Sequence, residues 1–144
     1  MNKNCLHLAK SYVLFLKVRR NIKVAVGRLG KIKFSKGYYL YVGSAKRGIE
    51  SRLNRHILKD KNLFWHVDYL LKSPYTVIDE VWVAHSKKEC SVASLLKEHF
   101  DFVERFGSSD CRCKSHLFFA ATAVNRVRWL LHKGGFCNAG KGPF

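Results

Sequence analysis

The sequence predicts an α+β fold, and three observations carry that reading. Runs such as Tyr12 to Val18 and Tyr75 to Ala84 have the length and the β-branched and aromatic content of strands. Other segments place apolar residues at helical spacing: Ile49, Leu53 and Ile57, then Val92, Leu95, Leu96, Phe100 and Val103. Glycines punctuate a third pair of runs in the manner of a hairpin. With 144 residues, 47% apolar content and only two prolines, the chain can bury a core as a single domain.

In order, Tyr12 to Val18 is a mostly apolar run suited to a central strand. Ile22 to Val26, the turn Gly27-Arg28-Leu29-Gly30 and Ile32 to Phe34 read as a β-hairpin inserted before a core strand, Tyr38 to Val42. A helix follows from Arg47 to Lys59, with Arg52, His56 and Lys59 on a wetter face beside the apolar stripe. Leu63 to Leu71 reads as a short helix ending before Ser73-Pro74, since residues preceding proline avoid helical angles. After the strand Tyr75 to Ala84, Ser86-Lys87-Lys88-Glu89 has capping-box spacing and predicts a helix near 87 to 104. A loop through Phe106 to His116 leads to a strand, Leu117 to Ala120, and a last helix from Thr122 to His132. The domain is expected to span residues 1–133, and the Gly-rich end, 134–144, is expected to be a loose tail.

Charge narrows the function. Lys and Arg number 27 against 10 Asp and Glu, giving a formal charge of +17 spread along the chain, so a polyanion is the expected partner. No run approaches the roughly 18 apolar residues of a membrane span, and Met1-Asn2-Lys3-Asn4-Cys5 opens without the apolar core of a signal peptide. A cytoplasmic protein is the expectation. Gly135, Gly140 and Lys141 mimic P-loop spacing, but residue 142 is Gly where Ser or Thr should hold magnesium.

Five cysteines are an odd set, and Cys111 and Cys113 are too close to staple a small secreted fold, so reduced thiols are expected. Cys111, Cys113 and His116, with Cys90 as fourth ligand, could enclose tetrahedral Zn2+. The single residue between the two thiols is tighter than the usual zinc spacing, however, and no second Cys pair faces it. Packing cysteines and a hydrogen-bonded loop histidine are therefore the preferred reading.

Tyr38-Tyr39-Leu40-Tyr41-Val42-Gly43-Ser44-Ala45, followed by Arg52-Leu53-Asn54-Arg55-His56, joins a strand, a glycine turn and an Arg/His-bearing helix in one unit. With Tyr41-Val42-Gly43, and with Arg52 and His56 on the next helix, the chain resembles the GIY-YIG nuclease superfamily, and within it the small stand-alone "Uri" endonuclease-like branch. The resemblance runs from Tyr12 to Phe119. Val26-Gly27-Arg28-Leu29-Gly30, Trp65-His66-Val67-Asp68-Tyr69, Glu89-Cys90 and Gly107 to Phe118 are also similar to that branch. The first signature survives only as Ser11-Tyr12-Val13, and the superfamily's late asparagine has no counterpart unless Ser109 or Asp110 replaces it.

The resemblance implies a central antiparallel sheet of about three strands flanked by helices, one divalent metal, Mg2+ or Mn2+, and a tyrosine that activates water to hydrolyse a phosphodiester. Tyr12 is the preferred base, with Tyr41 beside it on the adjacent strand and both hydroxyls near the sheet rim. Arg52 can meet two phosphate oxygens with its planar fork without losing its proton. A free tyrosine titrates near pH 10, so Arg52 and a metal would have to lower Tyr12 by about three units. His56 could relay the proton and His66 assist. Glu89 is the metal ligand, unless it merely caps its helix. Gly43 is expected to turn the backbone so that phosphate reaches Ser44, with function suffering more than folding on substitution. Lys46, Arg47, Arg55, Asp68, Ser109 and Asp110 are expected to bind nucleic acid or support the site, Asp68 either as a second carboxylate or paired with a neighbouring Lys or Arg.

The resulting expectation is a metal-dependent endonuclease acting on DNA, structure-selective and engaged in repair or processing. Its rivals are a noncatalytic nucleic-acid-binding module serving a DNA-repair protein, and an RNA-binding or RNA-cleaving protein.

Overall fold

A computed structural model describes residue 6 and residues 8–45 and 48–141. Eight strands and four helices follow in order among them: β1 Ser11–Val18, β2 Ile22–Ala25, β3 Lys31–Phe34, β4 Gly37–Ser44, α1 Ile49–Ile57, α2 His66–Lys72, β5 Thr76–Ala84, α3 Glu89–His99, β6 Asp101–Phe102, β7 Leu117–Ala121, α4 Val124–Lys133 and β8 Cys137–Lys141. The fold is α+β.

The sheet has six strands in the order β6-β7-β4-β1-β5-β8, all pairings antiparallel, with β2 and β3 forming a separate hairpin. The expected three-strand sheet is therefore too small: β4, β1 and β5 form its centre, and short strands extend both edges. β1 is buried along nearly its whole length, as a run apolar on both faces requires. Alternate residues serve two cores. Tyr12, Leu14 and Leu16 join Tyr39, Tyr41, Leu53 and Leu70 under α1, α2 and the hairpin. Val13 and Phe15 join Leu40, Val42, Trp82, Leu96, Phe118 and Leu131 under α3 and α4.

Two expectations fail at the ends of elements. The helix expected to reach 104 stops at His99, where Phe100 turns extended (φ −135°, ψ 153°). Asp101 and Phe102 then pair with Phe119 and Phe118, because the aromatic pair Phe100 and Phe102 gains more by packing on the second core than by another helical turn. The Gly-rich end is not loose through 137–141: β8 pairs with β5, Ala139 is fully buried, and Asn138 Nδ2 donates to Glu80 at 3.1 Å. Gly140, at φ 137°, sits beside the register shift at Val81/Trp82, a bend that other residues resist. Among the described residues no helix is long and apolar enough to cross a membrane.

Candidate active site

At the end of the sheet where β1 begins and β4 finishes, an open cleft of about 670 Å³ gathers side chains from six segments. Tyr12 comes from β1, Tyr41 to Ser44 from β4, Arg52 from α1, His66 from the start of α2 and Glu89 from the start of α3. Ser109 and Asp110 form its exposed rim on the loop before β7.

Tyr12 and Tyr41 lie on one face of neighbouring strands with ring centroids 6.4 Å apart. Both line the cleft at this end of the sheet, but both are buried. Tyr12 is 1% exposed, and its hydroxyl lies 2.7 Å from His56 Nε2. Burial pushes both phenols above their ordinary range; for Tyr12 the neighbouring Tyr41 adds to the rise, and Arg52 opposes it only in part. The arginine alone therefore does not activate Tyr12, because desolvation outweighs it.

Gly43 answers a different need from the one expected. It lies within the strand opposite Tyr12, and a Cβ there would meet Tyr12 Cζ at 2.3 Å and the hydroxyl oxygen at 2.4 Å. Its bare Cα lets the Tyr12 ring cross the backbone toward α1, so Gly43 serves packing and site geometry together instead of a turn.

His56 departs furthest from its expected wet face. It is 2% exposed, and burial, reinforced by Lys61, pushes its imidazole down to about 3. The ring is therefore neutral, with Nε2 on Tyr12 and Nδ1 buried without a hydrogen bond. Lys59 is not a free surface charge either: its ammonium donates to the carbonyls of Leu71, Ser73 and Thr76, closing the end of α2.

Arg52 and Arg55, three residues apart, take different partners. Both guanidinium carbons sit over the Trp65 ring, at 4.2 and 4.3 Å. Arg55 is also locked into a two-pronged pair with Asp68, at 2.6 and 2.8 Å. Asp68 is fully buried and accepts the backbone N–H groups of Phe64 and Trp65 as well. Burial alone would raise its carboxyl, but these donors hold it below the usual carboxylate range. Arg55 and Asp68 thus join α1 to α2: Asp68 takes the pairing with a neighbouring arginine that the sequence allowed, and Arg55 supports the site from within that pair. Arg52 has no hydrogen bond to a carboxylate among the described residues and borders the cleft.

Glu89 is the first residue of α3 and does not cap it, since the cap position is Lys88 and no side chain fills it. Ser11 takes that part from β1: its hydroxyl accepts the Lys88 N–H at 2.7 Å and offers its proton to the Ser86 carbonyl at 2.8 Å or to Glu89 Oε2 at 3.1 Å. Glu89 Oε1 has no hydrogen bond among the described residues. The hydroxyl of Ser44, also on the cleft wall, is buried without a partner. His66 Nδ1 accepts the Gly107 N–H at 2.8 Å, so its other nitrogen carries the proton in the neutral ring that burial favours.

The loop that closes the cleft brings Cys90, Cys111, Cys113 and His116 together, with their ligand atoms all within 4.8 Å of one another. The thiols are free, and Cys113 packs on the second core as the preferred reading expected, while the cluster could also hold a metal ion. Burial and the neighbouring sulfurs push the Cys113 thiol up to about 12.

Lys46 and Arg47 lie outside the described residues. The sequence reading missed Trp65, the seat of the two arginines, and Phe64, which is 78% exposed on the cleft wall. It also missed Lys87, on the cleft wall, and Ser11, buried behind it against Glu89. Adjacent aromatics just before a helix were the available signal for the first two; Ser11 had none, because its partners are 75 residues or more away.

Residues 11–134 match a family described as Domain of unknown function DUF123, and the chain belongs to that family. No curated protein and no solved structure matches it.

Proposed function

We propose that this chain is a metal-dependent endonuclease that hydrolyses phosphodiester bonds in DNA, in the service of repair or processing. The observation that carries the reading is the meeting of Tyr12, Tyr41, Arg52 and Glu89, from four separate elements, on one open cleft of a +17 chain. The sequence resemblance to GIY-YIG nucleases points the same way.

Each group has a part. Arg52, half-buried on Trp65 and unpaired with a carboxylate among the described residues, offers its fork to the phosphate oxygens as negative charge grows there. Ser44 offers an unspent hydroxyl on the same wall. Glu89 suits a divalent cation such as Mg2+ or Mn2+, because one oxygen is steadied by Ser11 and the other has no hydrogen bond among the described residues. Bound there, the cation would neutralise phosphate charge and acidify water. In the tautomer that leaves Nε2 bare, Tyr12 donates its proton to His56, so it can accept one from the attacking water while passing its own to the imidazole. Water oxygen bonds to phosphorus, the bond to the ribose oxygen breaks, the departing oxygen takes a proton from solvent in the open cleft, and the proton held briefly on Nε2 returns to solvent through Tyr12, since burial keeps the resting imidazole neutral. Exposed Phe64 provides a face for an unstacked base, which favours substrates with single-stranded or frayed segments.

The test is cleavage of labelled flap, fork, single-stranded and duplex DNA, with an RNA control, in Mg2+ or Mn2+. Wild type should cut while Tyr12→Phe, Arg52→Ala and Glu89→Gln bind but do not cut. Binding without cleavage by wild type on every substrate would replace this reading with a recognition module.

A further inference from the structure

Three members of the Cys/His cluster also line the cleft, but the proposed cleavage uses none of them, and their geometry asks for a separate explanation. We propose that Cys90, Cys111, Cys113 and His116 bind one zinc ion in a closed tetrahedral site that pins the loop before β7 to the first turn of α3.

Four donors from two distant segments converge: Cys90 in α3, the others over six residues of the loop. Tetrahedral zinc with sulfur ligands near 2.3 Å and nitrogen near 2.1 Å places its donors about 3.5–3.8 Å apart. The observed atoms all lie within 4.8 Å, and Cys111 Sγ is already 3.5 Å from His116 Nε2. Closing the shell therefore requires movements of about 1 Å or less.

The surroundings are arranged as a metal site requires. His116 is fixed through its own backbone, whose carbonyl accepts the Val42 N–H at 2.9 Å, so its imidazole springs from a point paired to β4 with Nε2 already beside Cys111. The loop is held by His116 N–H to the Phe106 carbonyl at 2.7 Å and Arg105 N–H to the Lys114 carbonyl at 2.8 Å, so both its ends are paired before any ion binds. His116 is buried, Cys111 and Cys113 are half-buried and Cys90 is exposed, which gives the ion a path from solvent. Three thiolates and one imidazole select zinc over magnesium or calcium, which take oxygen. Four protein ligands leave no open position, so the site is structural.

The consequence reaches the cleft. Cys90 follows Glu89, and Cys111 follows Asp110, so ligation at these two sulfurs fixes the backbone that carries two of the cleft's carboxylates. Without the ion, the loop rests on its own turns.

Metal analysis of the full chain, expressed with zinc and purified under reducing conditions without chelator, tests this apart from any cleavage. The expected result is one zinc per chain, retained in Cys137→Ser and lost in Cys111→Ser and in Cys113→Ser. His116→Cys should retain it, as a fourth thiolate is an equally good ligand. Cobalt in place of zinc should give the intense visible bands and thiolate charge-transfer absorption of a tetrahedral site. Zinc absent from the wild type, zinc retained in the Cys111→Ser/Cys113→Ser double variant, or copper or iron in its place would each overturn the proposal. Because these readings do not depend on DNA cleavage, an inactive protein that holds zinc would reject the nuclease and keep this site.

Discussion

Two kinds of carboxylate and arginine lie in this fold, and they are treated oppositely. Glu80 in β5 is fully buried and accepts from Arg128, the Trp82 indole and Asn138, tying α4 and β8 to the sheet. Asp68 is equally saturated by Arg55 and two backbone groups. At the cleft, Glu89 keeps one oxygen without a hydrogen bond, and Arg52 has only an aromatic face, among the described residues. A saturated buried pair stabilises one conformation and has nothing left for a ligand. An unsaturated pair at an open cleft contributes little to stability and keeps its bonding capacity for substrate.

Arg52→Ala tests the contrast most sharply. Loss of the phosphate fork should lower the cleavage rate by about 100- to 1,000-fold, while the melting temperature stays near that of wild type. A variant that unfolds in proportion to its lost activity would place Arg52 with the structural ions. Asp68→Ala should do the reverse, costing about 3 kcal/mol of unfolding free energy by denaturant titration, since it strands the half-buried Arg55. Gly43→Ala tests the packing between the two regions. Its methyl would overlap Tyr12, so both stability, by about 1–3 kcal/mol, and cleavage should fall together.

The gentlest effect is on pH. The folded value of His56, about 3, lies below its ordinary 6.5, so the unfolded chain takes the proton first. Stability is whole above about pH 6.5 and declines as pH falls toward 3, by up to about 1.4 kcal/mol per unit. His56→Gln should flatten that slope by one proton in unfolding curves recorded across the window. Asp68, held low by Arg55, adds a loss only at more acid pH, as it protonates through its depressed folded value.

Legibility followed the range of the interactions. β1, β4, β5 and the hairpin were readable because apolar period, glycine and β-branching act within a few residues. The helix end at His99 was not, since Phe100 and Phe102 are decided by what they pack against across the sheet. β8 was hidden because its Gly and Asn suggest a loop until β5 supplies a ladder and Glu80 a partner. At the site, residue types were legible and their states were not. Nothing local tells that Arg52 faces the cleft while Arg55 is bound to Asp68, or that His56 is dry.

By itself, the sequence determined the α+β class, the +17 charge and a short set of chemically capable residues, because composition and short-period patterning set them. Tertiary structure decided which of those residues are spent and which remain available. Saturation depends on partners brought from tens of residues away: Ser11 to Glu89, Tyr12 to His56, and Cys90 to Cys111, Cys113 and His116. Burial, which sets the protonation of Tyr12 and His56, likewise exists only once the two faces of the sheet have closed.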